Sequence, residues 1–163
     1  MLKYHSHDIV FQEIPNETTL AINITNCPNR CAGCHSQHLQ QDTGEELTEN
    51  VLSALLEKYG NAVTCVCFMG GDNEPKEVLR LAGFVKNIPF YKKMECLKIK
   101  TAWYSGKPAV FSGAEQIFDY IKIGAYVEKS GGLNSVTTNQ RLYKIENENL
   151  IDITEKMRKK DFF

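Results

Sequence analysis

Ala62-Val63-Thr64-Cys65-Val66-Cys67-Phe68-Met69, closed by Gly70-Gly71-Asp72, is the stretch on which the fold turns. A near-continuous apolar run bounded by glycines is the pattern of a strand covered on both faces, as in parallel sheets. Just downstream, Pro75 stands where a first helical residue belongs, with Asp72 or Asn73 as its cap. Val78, Leu79, Ala82 and Val85 then recur at helical spacing. Just upstream, Val51, Leu52, Leu55, Leu56 and Tyr59 predict a second helix, capped by Thr48 and ended by Gly60.

Further out, TLAINIT (residues 19–25) alternates cleanly, with Leu20, Ile22 and Ile24 on one face. DIVFQEI (8–14) alternates weakly, and PNET joins the two as strand–turn–strand. Residues 96–104 and 120–124 read as strands, 113–120 as a short helix and 128–140 as loop. Residues 141–145 and 150–153, joined by ENEN, read as a hairpin. Strands alternating with helices predict an α/β fold with a mainly parallel sheet. The expected architecture is an incomplete β/α barrel: an open, curved sheet of about four to six strands with helices outside and a lateral opening left uncovered. Ligands of such sheets collect at the carboxyl ends of strands. The segment Cys27 to Cys34 and Gly70-Gly71-Asp72 each follow a predicted strand, so the two are expected to share one edge.

The chain has 163 residues, within the range of one domain, and its apolar content of 42% is enough for a core. We read residues 1–163 as a single domain ending in a hairpin and tail at about 141–163. Nineteen basic residues against twenty acidic ones lack the positive field that phosphate backbones require, so no direct nucleic acid binding is expected. No apolar run approaches the ~18 residues of a membrane span, and MLKYHSHDIVFQ has no signal-type apolar segment. A cytoplasmic, membrane-free protein is expected. Six cysteines in such a setting argue against disulfides, and the three that crowd together, Cys27, Cys31 and Cys34, read as metal ligands first.

Cys27, Cys31 and Cys34, in CPNRCAGC, form C-x3-C-x2-C. Thiolates are soft ligands suited to iron–sulfur clusters, zinc or cuprous ion. A structural zinc site closes with four ligands, here three thiolates plus His35 or His38. A four-iron cluster takes four thiolates, so three leave one iron open to a ligand.

C-x3-C-x2-C after the first core strand, with Gly70-Gly71-Asp72 after the next, resembles the radical S-adenosylmethionine superfamily. Cys31-Ala32-Gly33-Cys34 is similar to the small activating proteins of anaerobic ribonucleotide reductases, with Ala32 where proline is usual and His35 in place of an aromatic. Gly70-Gly71-Asp72 with Pro75 behind it resembles the GGDP segment of that family. Trp103-Tyr104-Ser105-Gly106 resembles its Trp-x-x-(Thr/Ser)-Gly stretch. DYIKIGAYV (119–127) and Asn139-Gln140 parallel its late strand and terminal Ser-Ser-Asn-Gln, with Thr137-Thr138 for the serines. The resemblance implies a [4Fe-4S] cluster on Cys27, Cys31 and Cys34, and S-adenosyl-L-methionine contacted by Gly33, Cys34, His35, Gly70, Gly71 and Asp72. It implies reductive cleavage of that cofactor and hydrogen abstraction from a glycine of the reductase catalytic subunit. It also implies an electron donor of flavodoxin or ferredoxin type.

Other readings stand beside it. The chain could activate another glycyl-radical enzyme, act on a free metabolite, or be a zinc-binding interaction module without catalysis. Cys65 and Cys67 share a strand face and read as small buried hydrophobes, as does isolated Cys96. Trp103 reads as core packing and Asn139-Gln140 as shaping the entry to the hairpin. His5 and His7 read as surface residues, and Lys156, Arg158, Lys159 and Lys160 as a solvated tail.

Overall fold

The structure, a computed structural model, describes residues 1–88 and 98–158. Cys96, the start of the strand predicted from it, Lys159 and Lys160 lie outside these residues. The strands are β1 (Lys3–Val10), β2 (Thr19–Ile24), β3 (Glu45–Glu46), β4 (Cys65–Met69), β5 (Lys100–Tyr104), β6 (Tyr120–Ile123), β7 (Arg141–Glu146) and β8 (Asn149–Asp152). The helices are α1 (Glu49–Tyr59) and α2 (Pro75–Asn87).

Among the described residues the eight strands form one sheet in the order β3-β1-β2-β4-β5-β6-β7-β8. The order has two free ends, β3 and β8, so the sheet is not closed. Its centre is parallel, β2 to β4 to β5 to β6. Its flanks are antiparallel: β3 and β1 on one side, β7 and β8 on the other. The expectation of a mainly parallel sheet of four to six strands is thereby corrected to a mixed sheet of eight. Hairpins bring in β1 beside β2 and β8 beside β7, whereas β3 and β7 are carried to their neighbours by the longer segments 25–44 and 124–140. Asn147 and Glu148, at φ 51° and 65°, supply the two left-handed positions that a tight two-residue hairpin turn needs.

Leu20, Ile22, Ile24, Val66, Phe68, Trp103 and Ile121 point from the central strands toward the helices. There they meet Leu52, Leu55 and Leu56 of α1 and Val78, Leu81, Ala82 and Val85 of α2. The opposite face carries Cys65, Cys67, Ala102, Tyr120 and Leu142, packed with Ile14, Leu133 and Ile153 from connecting segments. The helix-free face is therefore covered by connecting segments.

Several local expectations shift. The Thr48 hydroxyl caps α1 by accepting the Val51 N–H at 3.2 Å. At α2 the cap position is Glu74, without a side-chain hydrogen bond, because Asp72 is occupied elsewhere. The first strand lies at Lys3–Val10 rather than 8–14, and Ile14 is fully buried in the connection. The helix expected over 113–120 is a single 3-10 turn, Ala114–Gln116. Among the described residues no helix is long and apolar enough to cross a membrane.

Candidate functional site

The loops that leave the carboxyl ends of β2, β4, β5 and β6 meet. The first leaves β2 through Asn26, whose φ of 59° turns the chain sharply. It is closed at its base by backbone bonds from Asn26 N–H to Gln41 O and from Cys27 N–H to Leu39 O, both 3.0 Å. Between these lie Cys27, Cys31 and Cys34, all partly buried and free of disulfides. Arg30 and Gly33, at φ 45° and 74°, let the loop reverse twice. The Cys27 sulfur accepts from Asn29 Nδ2 at 3.6 Å, and the Cys34 sulfur from the Ser36 N–H at 3.4 Å.

The second loop is Gly70-Gly71-Asp72. Gly70 and Gly71 have φ of 113° and 96°, a region that favours glycine. A Cβ on Gly71 would lie 2.4 Å from Val78 Cγ2, so the turn packs directly on α2. Trp103 Nε1 donates to Gly70 O at 2.8 Å, which makes this buried indole both core and a fixing point for the turn. The Asp72 carboxylate accepts from Asn29 Nδ2 (2.7 Å), Ser105 Oγ (2.6 Å) and the Gly106 N–H (2.7 Å). One side chain thus ties the cysteine loop to the loop after β5.

Lys122, at the end of β6, completes the ring. Its buried ammonium donates to Ser105 O at 3.2 Å and Gly124 O at 2.8 Å. Burial pulls its pKa down to about 8, against the opposing pull of Asp72, Cys31, Cys27 and Cys34. Desolvation wins over attraction, yet the ammonium keeps its proton at neutral pH. Gln140 Nε2 donates to Gly124 O (3.4 Å) and Asn139 Nδ2 to Ala125 O (2.9 Å). These two amides therefore shape the loop after β6.

The expected common edge is thus realised for the cysteine loop and Gly70-Gly71-Asp72, joined through Asn29. His35 sits against Tyr126, ring centroids 5.6 Å apart, and a Cβ on Gly33 would lie 3.2 Å from Glu128 Oε2. The far side of the cysteine loop accordingly faces the segment after Gly124. His38 pairs instead with His5, ring centroids 5.0 Å apart. Cys65 and Cys67 are wholly buried, and burial pushes both thiols up, Cys65 with added repulsion from Cys67. They stay protonated and apolar, as small core residues do.

Reading the sequence missed Asn29, Ser105, Gly106 and Lys122 as parts of this edge. Ser105 and Gly106 stood in a motif flagged only by resemblance, and nothing in local spacing marks Asn29 or Lys122. The donor set itself fits a thiophilic centre: three thiols on one loop, two already receiving N–H donors, beside a buried cation. The sulfurs are not drawn together, however: among the described residues no group of three His, Cys, Asp or Glu is placed to hold a metal ion. Comparison with protein-family models, curated proteins and solved structures found no match for this chain.

Proposed function

We propose that this protein is a glycyl-radical activating enzyme of radical S-adenosylmethionine type, acting on an anaerobic ribonucleoside-triphosphate reductase in the cytoplasm. The observation that carries the reading is the junction of the C-x3-C-x2-C loop with Gly70-Gly71-Asp72 at the carboxyl edge of parallel strands, through the 2.7 Å bond from Asn29 to Asp72. In this reading the open sheet, with α1 and α2 on one face, is a partial β/α barrel of that superfamily. Cys27, Cys31 and Cys34 would hold a [4Fe-4S] cluster, with S-adenosyl-L-methionine beside Gly33, Cys34, His35, Gly70, Gly71 and Asp72. When bound, that pair supplies one-electron reductive cleavage of a sulfonium and, with it, hydrogen-atom abstraction.

The chain's own residues bind and orient. Gly70 and Gly71 bring bare backbone to the edge; each carbonyl accepts one internal bond, from Trp103 and Glu74 respectively, leaving a second lone pair for an ammonium. Asp72 locks two loops in register, and Lys122 places a positive charge behind the sulfurs. A hydrogen atom rather than a proton is moved, so no general base is needed. The electron would come from a flavodoxin- or ferredoxin-like donor.

The test of the partner is electron paramagnetic resonance on mixtures with candidate glycyl-radical enzymes under reducing, anaerobic conditions. A glycyl doublet should develop on the reductase only when both proteins and S-adenosylmethionine are present. A doublet on a different glycyl-radical enzyme, and none on a reductase, would reassign the partner.

A further inference from the structure

Asn29 stands between the two motifs, and its orientation is forced. Both neighbours of its Nδ2, the Asp72 carboxylate at 2.7 Å and the Cys27 sulfur at 3.6 Å, are acceptors. A flipped carboxamide would set its carbonyl against the carboxylate, so the NH2 group must face them, one proton to each. Asp72 cannot yield, because Ser105 Oγ and the Gly106 N–H hold it from the other side. Asn29 cannot be displaced far either, since the carboxamide fills the space a side chain on Gly106 would need. A Cβ there would lie 2.5 Å from Asn29 Nδ2 and 3.0 Å from its Cγ.

We propose that Asn29 is a positioning residue for the Cys27 sulfur, held by Asp72 and admitted by Gly106, and that it sets the reduction potential of a centre bound through Cys27. This rests on the functional reading above. Donors to a ligating sulfur stabilise the more electron-rich, reduced state, so they raise the potential; partners one shell out from the ligands are the usual means of such tuning. Asn29 is the donor, Asp72 fixes its direction, and Gly106 supplies the room. Asp72 thus acts on the sulfur through Asn29 rather than by touching it.

Two measurements on the 163-residue chain test this. In the reduced, metal-free protein, the Asn29 side-chain amide protons should exchange at least about tenfold more slowly than a free carboxamide, as a charge-assisted bond requires. That protection should vanish in Asp72→Ala and Gly106→Ala. In the iron–sulfur-reconstituted protein, Asn29→Ala and Gly106→Ala should both shift the reduction potential to more negative values. The two variants reach the same loss by different routes, one removing the donor and one displacing it. Unprotected amide protons in the wild type would overturn the clamp, and an unchanged potential in both variants would overturn its role in tuning. A wild-type chain that takes up no iron–sulfur centre would overturn the functional reading and the tuning with it. Slow amide exchange in that case would still report the clamp.

Discussion

An alanine at Gly71 and one at Gly83 would meet opposite surroundings. At Gly71 the new Cβ would stand 2.4 Å from Val78 Cγ2, on a backbone at φ 96°. At Gly83, inside α2, nothing lies within 4 Å. Gly71→Ala should therefore cost ~1–3 kcal/mol from overpacking, with left-handed strain added. Gly83→Ala should stabilise by ~0.5–1 kcal/mol through helix propensity. Urea unfolding of the two variants reads both signs, and equal effects would contradict the packing described. The sequence marked Gly70-Gly71 as a turn after a strand; at Gly71 the structure adds packing against Val78 of α2. Asn29 was silent because its importance lies in meeting Asp72 and Gly106, which are distant in the chain.

At the scale of elements, periodicity carried the reading where one residue pattern met one surface. Both helices stand where their spacing put them, and Thr48 caps α1 as expected. The first strand was misplaced because 8–14 alternates only weakly, while Lys3 to Val10 is held by its ladder with β2. The hairpin pairs β1–β2 and β7–β8 were legible locally, but the placing of β7 beside β6 and of β3 beside β1 rests on long-range pairing that no local pattern encodes.

Strand β6 carries a feature no pattern announced, a lysine buried at its end. Because the folded pKa of Lys122 is about 8 against 10.5 for the free side chain, the unfolded chain holds the proton to higher pH. Below pH 8 both states are charged and the cost of burying the ammonium is fully present. From pH 8 toward 10.5 the folded state sheds its proton first, so stability rises with pH. Between pH 7 and 9.5 metal-free wild type should gain roughly 2 kcal/mol relative to Lys122→Met, whose own profile lacks this contribution. Denaturant melts at the two pH values check it; parallel profiles would show that the ammonium is not desolvated in the folded chain.

At the scale of the molecule, one open sheet gathers four loops at the carboxyl ends of its strands, and side chains bolt them together. Asn29, Asp72, Ser105 and Lys122 link the loops after β2, β4, β5 and β6. The sequence foretold that two motifs would share this edge, because each followed a strand of a parallel set. It did not show that connecting segments would cover the helix-free face, since Ile14 and Ile153 read as parts of strands and Leu133 lies in a stretch without periodicity. Under the proposed function, a partner's glycine loop would reach the cysteine loop at this edge.

The most direct test of the account is formation of 5′-deoxyadenosine by the anaerobically reconstituted, reduced protein given S-adenosylmethionine, with Cys31→Ala as control. The wild type should bind iron and sulfide and form the product, and Cys31→Ala should lose both. Stoichiometric zinc without sulfide, and no 5′-deoxyadenosine with or without the reductase present, would contradict it and make the cysteine loop a zinc site.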